Sequence, residues 1–277
     1  MKRKVGVACL CILLSGLWQT AFAQGNLLVS PTRVVFEGDK QKEDLNLTNI
    51  GQDTAVYLIS FIHYRMQADG SFLQLESDSV KTRADKFLRV FPRKVVLPPG
   101  ESQTIRMQYR KTQEVQDGME YRSHLYFRAE KEVSALGMSA SNVDTTKMSV
   151  SITPVFGISI PVIVRNGTMD YSMSISDVSL TPVIDTVSTL TFKLHRLGNR
   201  SSYGNVRVTF VPNGGKSVDI GMANGIGVYT DVESRLVSLL LYNRADQRLK
   251  NGKLVVTYST PREEGEKVLA KIEYNLP

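Results

Sequence analysis

Cysteine is almost missing from this 277-residue chain, and its two examples, Cys9 and Cys11, both fall in the first eleven positions. The rest of the chain therefore has no disulfide, and apolar burial alone must hold it together. Histidine is equally sparse: His63, His124 and His195 lie far apart, with no cysteine to join them. That scatter argues against a metal centre, and each is read as a strand-surface or partly buried residue. The nucleophile-elbow and phosphate-loop patterns are absent. Glu263-Glu264 is the one notable carboxylate pair, and it sits between Pro261 and Gly265 in what reads as a solvated hairpin tip. No nucleophile–base pair, metal site or cofactor motif can be assembled, so the chain is not read as an enzyme. No segment shows three turns of amphipathic helix, and none approaches membrane-spanning length. The formal net charge is +7 with no dense basic run, which gives no reason to expect nucleic acid as a partner.

What is present begins with an export signal. Lys2, Arg3 and Lys4 form a positive start, Val5 to Trp18 is apolar, and Ala21-Phe22-Ala23 is a small-x-small cleavage site. Residues 1–23 are read as a cleaved signal peptide that exports the remainder. Asn46-Leu47-Thr48 and Asn166-Gly167-Thr168 match the glycosylation pattern, a weak signal in a chain of this length.

The rest reads as strands and turns. Leu45 and Leu47 alternate with polar neighbours, as do Ile105, Met107 and Tyr109, then Leu190, Phe192 and Leu194, and Val206, Val208 and Phe210. Ala68-Asp69-Gly70, Pro98-Pro99-Gly100 and Pro212-Asn213-Gly214-Gly215 are turn signals. Arg165-Asn166-Gly167 looks like a corner between domains. The pattern predicts an all-β chain of short strands in two β-sandwiches, residues 24–165 and 166–277.

One stretch stands apart. From Lys147 to Arg165 the even positions Met148, Val150, Ile152, Pro154, Phe156, Ile158, Ile160, Val162 and Val164 are all apolar. The odd positions include Lys147, Ser149, Ser151, Thr153, Gly157 and Ser159. This is a strand with one dry face, about three times longer than the usual strand of roughly 5–6 residues. Ordinary neighbours cannot cover it, so part of the apolar row should remain available to another chain. The other reading packs the whole row inside the first domain. Glu130 to Thr146, just before it, has little periodicity and reads as a mobile loop.

Several of these segments resemble the PapD-like periplasmic pilus chaperones of the chaperone–usher pathway. Pro31-Thr32-Arg33-Val34-Val35-Phe36-Glu37-Gly38 is similar to the family's first strand, and Leu45 to Asn49 to its second. Phe91-Pro92-Arg93 to Arg106 is similar to its proline–glycine–arginine block. Asp117 to Leu125 resembles the segment before the mobile loop, and Ile158 to Arg165 the end of the donor strand. The match spans Pro31 to Arg165; beyond it the chain agrees only in size and β character.

The resemblance implies two immunoglobulin-like domains in a boomerang, with a subunit-binding cleft. It implies a non-enzymatic periplasmic chaperone, without cofactor, that completes pilus subunits by donor-strand complementation and delivers them to an outer-membrane usher. It places Met148, Val150, Ile152, Pro154 and Phe156 on the donor row. Arg33 matches the family's first anchor for the subunit's C-terminal carboxylate. The second anchor, a lysine, falls on Pro161, so either another cation substitutes or one charge suffices. Arg165 matches an interdomain arginine and Glu120 its acidic partner. An exposed apolar edge would also favour self-capping dimers when no subunit is bound. The alternative of another class is a secreted two-domain β-sandwich adhesin or structural module that keeps its long strand to itself.

Overall fold

The computed structural model describes residues 27–130, 156–184, 187–242 and 249–276. In chain order the first half contains β1 (Leu27–Ser30), β2 (Val34–Phe36), β3 (Lys42–Asn49), β4 (Ala55–Met66), β5 (Phe72–Leu75), β6 (Leu88–Phe91), β7 (Lys94–Leu97), β8 (Ser102–Tyr109), β9 (Met119–Glu130) and β10 (Gly157–Asn166). The second half contains β11 (Tyr171–Ile184), β12 (Val187–Gly198), β13 (Ser202–Pro212), β14 (Val218–Val228), β15 (Ser234–Tyr242), β16 (Gly252–Ser259) and β17 (Val268–Asn275). Among the described residues the only helical pieces are single 3-10 turns, and no helix is long and apolar enough to cross a membrane.

Each half is a sandwich of two sheets, an immunoglobulin-like arrangement. In the first, β1-β3-β8-β6 faces β2-β10-β9-β4-β5, with β7 also paired to β4. In the second, β11-β12-β15 faces β14-β13-β16-β17. The cause is the period-two pattern. In β3 Leu45 and Leu47 are buried while Asp44 and Asn46 face water, and in β8 Ile105 and Met107 do the same. The two inner faces meet in one core per domain. Each large apolar side chain so buried contributes about 1.5–3 kcal/mol.

Turn chemistry closes the sheets. Asn49 ends β3 fully buried. Its amide donates to the carbonyls of Asp53 and Leu97, both at 2.8 Å, and its Oδ1 accepts from Gly51 N at 2.9 Å. Gly100, at φ +73°, returns its N–H to the Asn49 carbonyl at 2.8 Å. Between the domains Gly167 adopts φ +78°, and a Cβ there would run into the Asp117 carboxylate, so the corner demands glycine.

The second-domain strands are longer than the sequence pattern suggests: β11 runs 14 residues and β12 runs 12. A bulge near Asp177, at φ 52°, shifts the β11 register and hides its alternation.

Phe192, fully buried in the second core, offers a direct test. Phe192→Ala is expected to cost about 3–5 kcal/mol of stability, measured by urea unfolding. A loss below about 1 kcal/mol would mean that the second core closes without this ring.

Candidate binding cleft and domain junction

The chain leaves β1 in one sheet and crosses at Pro31–Arg33 to β2 in the other. β2 is three residues long and runs parallel to β10, pairing Val34 with Val162, Val35 with Ile163 and Phe36 with Val164. On its other side β10 is paired antiparallel to β9 along its whole length, Gly157 to Asn166. The β2-facing edge of β10 from Gly157 to Pro161 therefore has no ladder partner among the described residues. Arg33, one residue before β2, stands where that open edge meets the β2 pairing.

Arg33 also faces a cleft of about 1130 Å³ between the domains. Ser30 to Arg33 form one wall, and Tyr203, Met222 and Glu264 are on the other. The Arg33 side chain is only 12% exposed. Its guanidinium lies 4.6 Å from the centre of the Tyr203 ring, and its Nη1 is 4.0 Å from Glu264 Oε1. Its Nε is buried without a hydrogen-bond partner. Burial first, and then the positive charge of Arg165, pull its pKa below the ordinary arginine value; an arginine stays protonated regardless. The result is a charged fork with unused donors at the end of an open strand edge, which is suited to a carboxylate.

Of the donor-row residues, Met148, Val150, Ile152 and Pro154 lie outside the described residues. Phe156, next to the start of β10, is 50% exposed, and its carbonyl accepts from Ala129 N at 3.0 Å. Further along, the even positions Ile160, Val162 and Val164 are buried in the first core. The odd face does not stay polar. Ile163 is fully buried with Met66 and Tyr229 in a small cluster between the domains. There both faces of β10 are covered, because the second domain packs on the face that alternation assigns to water. Pro161, the position of the second anchor, sits opposite His124 on β9. No lysine lines the cleft among the described residues.

Arg165 and Glu120, paired across β10 and β9, are both buried at the junction. Arg165 Nε donates to Glu120 Oε2 at 2.8 Å and its Nη1 to Glu37 Oε2 at 3.0 Å. Its Nη2 reaches Ser201 of the second domain, at 3.2 Å to the carbonyl. Ser201 in turn donates to Glu120 Oε2 from its N–H at 3.1 Å and its hydroxyl at 2.9 Å. Burial works against the Arg165 charge, but Glu120 and Glu37 outweigh it and hold the pKa above the ordinary value. Arg200 adds a contact to Glu37 at 3.3 Å.

A second tie lies behind the Ile163 cluster. Arg122 stacks 3.9 Å from the Tyr229 ring centre and pairs with Asp231. Asp231 also accepts from Met66 N at 2.9 Å. Composition and spacing gave no sign of Glu37, Arg122, Tyr203, Asp231 or Glu264 at these places, because each owes its role to the other domain.

The histidines are more enclosed than expected: His63 and His124 are both buried. Ser123 Oγ lies 3.4 Å from His63 Nδ1 and donates to Asp85 Oδ1 at 3.0 Å. This is not a nucleophile arrangement. Ser123 is buried, its proton goes to the carboxylate, and its oxygen accepts from Ala84 N and Asp85 N. It pins a 3-10 turn to β9. His195 Nε2 pairs with Ser176 Oγ at 2.7 Å. No cluster of three or more potential metal ligands occurs among the described residues.

The class defined by this geometry is a two-domain immunoglobulin-like β-sandwich with an interdomain cleft. Among solved structures, the chain is similar to a chaperone–tip adhesion subunit pre-assembly complex of the archaic chaperone–usher Csu pili of Acinetobacter baumannii, at 14% identity and TM-score 0.44, covering 91% of this chain and 100% of that one. It is also similar to the YadV chaperone, at 10% identity and TM-score 0.43 over 91% and 100% of the two chains. For the E. coli chaperone DraB the values are 13% and 0.42, over 91% and 96%. No family model matches the sequence, and no curated protein matches it.

Proposed function

We propose that this chain is a periplasmic chaperone for pilus subunits. After loss of residues 1–23 it would receive a subunit lacking one strand, complete it by donor-strand complementation, and pass it to an outer-membrane usher. The single observation that carries the reading is the open edge of β10 from Gly157 to Pro161, ending at Arg33. A sheet edge left unpaired beside a buried cation is a place to add a strand, not a finished surface.

The geometry sets a direction. β2 runs parallel to β10, so a partner strand in the same slot and the same direction would point its C-terminus at Arg33. Only a parallel strand brings a terminal carboxylate to that guanidinium. Its backbone hydrogen bonds would contribute about 0.5–1.5 kcal/mol each, and each apolar side chain it covers about 1.5–3 kcal/mol. Pro161 has no N–H and weakens the ladder where it stands. Phe156, with Met148, Val150, Ile152 and Pro154 before it, supplies the apolar row. The Arg165–Glu120 pair fixes the second domain beside the first, which keeps the cleft walls in place. Arg33 acts here as the carboxylate anchor, and the other cations that line the cleft among the described residues are Arg207 and Arg262.

The test is co-purification. Arg33→Ala and Phe156→Asp are each expected to lower recovery of a small secreted β-protein from periplasmic extracts by about tenfold or more. Circular dichroism should show both variants folded. Undiminished recovery with both variants would reject the mechanism and favour a module that keeps its strand.

A further inference from the structure

Arg33 already faces an anion. Glu264 ends the 3-10 turn Arg262–Glu264, at the tip between β16 and β17, and this tip crosses the cleft to the first domain. Its Oε1 stands 4.0 Å from Arg33 Nη1, beyond hydrogen-bond contact, and its side chain is 52% exposed. The other carboxylates near it are differently placed. Glu266 is held by Arg207 at 3.1 Å and by Arg262 at 3.6 Å. Asp219 is held by Arg207 at 3.2 Å and by Thr209 at 2.6 Å. Glu263 lines the cleft without an ion pair to Arg33. Glu264 thus neutralises the guanidinium through space while leaving its donors unspent, the buried Nε among them.

We infer that Glu264 is a resident competitor for Arg33, which a partner's carboxylate must displace, and that it therefore sets how tightly partners are held. The inference rests on the reading of Arg33 as the carboxylate anchor. A loose, half-exposed pair yields readily to a carboxylate that makes direct hydrogen bonds, since such pairs are weak and charge-assisted contacts at hydrogen-bond distance are stronger. Its like charge also opposes the incoming group until the turn moves aside. Displacing this anion costs every incoming carboxylate the same, so it lowers all of their affinities together and raises the threshold a partner must pass to be held.

The experiment uses the full chain and an N-terminally labelled octapeptide of alternating valine and threonine. One form has a free C-terminal carboxylate and the other a carboxamide, and binding is read by fluorescence anisotropy. E264Q is expected to bind the free acid about threefold more tightly than the parent, with the carboxamide unchanged. E263Q, which removes a charge from the same tip, should match the parent. Unchanged free-acid binding in E264Q, or an equal gain in E263Q, overturns the inference. R33A separates the two claims. If it abolishes the preference for acid over amide, the anchor stands and E264Q alone decides. If the preference survives R33A, the anchor reading falls and the competitor with it.

Discussion

Glu120→Ala is expected to destabilise the protein by about 3–5 kcal/mol, because it strands a buried arginine. Arg165 and Glu120 are both taken out of water, and Glu120 also accepts two hydrogen bonds from Ser201. Removing the carboxylate leaves the guanidinium with Glu37, which is itself 45% exposed and pairs at 3.0 Å. That remaining partner places the loss toward the lower end of the range. The comparison with a double variant is sharper. Glu120→Met combined with Arg165→Leu removes both charges together, and is expected to cost less than Glu120→Ala alone. Urea unfolding measures both. Small-angle scattering should show a wider spread of interdomain geometry in the single variant. A single variant as stable as the parent would show that the two domains hold their arrangement without this pair.

Acid is expected to weaken the fold through His124. Burial first, then the positive charge of Arg122, then His63, press its pKa from the ordinary 6.5 down to about 3. The rings of Tyr64 at 5.0 Å and Phe72 at 5.9 Å pack around it, and its Nδ1 has no hydrogen-bond partner. The folded protein thus keeps this imidazole neutral, while the unfolded chain takes up a proton as pH falls below 6.5. The stability it supports is complete above that value and is lost progressively toward about pH 3. The slope is about 1.4 kcal/mol per pH unit for one proton, a total on the order of 5 kcal/mol across the window. His63 is shifted in the same direction, by burial above all and against the pull of Asp85. Urea midpoints between about pH 7 and pH 4 measure the effect. His124→Phe keeps the aromatic packing and removes the titration, so its slope should be shallower. An unchanged slope would place the acid sensitivity elsewhere.

The sandwiches were legible wherever one face of a strand meets water. Val206, Val208 and Phe210 alternate in the sequence and are buried in the structure. Alternation fails where a strand has covering on both sides, as at Ile163, or where the register slips, as near Asp177. β14, with Gly221, Asn224 and Gly225, has too little β character to announce itself, and holds its place by pairing with β13. At the cleft, Arg33 was legible only through family resemblance. Glu264 read as a solvated turn because local sequence carries no information about which domain a hairpin tip will face. The buried histidines were missed for a related reason. His124 packs against Phe72 of a neighbouring hairpin, and Phe72 in turn meets Tyr229 of the other domain.

β2 covers only three residues of β10, and that brevity makes the junction at Arg33 a fixed zero mark. On the function proposed above, a guest strand beside Gly157 to Pro161 would meet the host's own strand there and could not slide past it. Side chains alternate between faces, so a guest one residue too long would turn its greasy set outward and its polar set inward. The protein would thus choose among guests by counting from their last residue, a criterion that needs no reading of individual side chains.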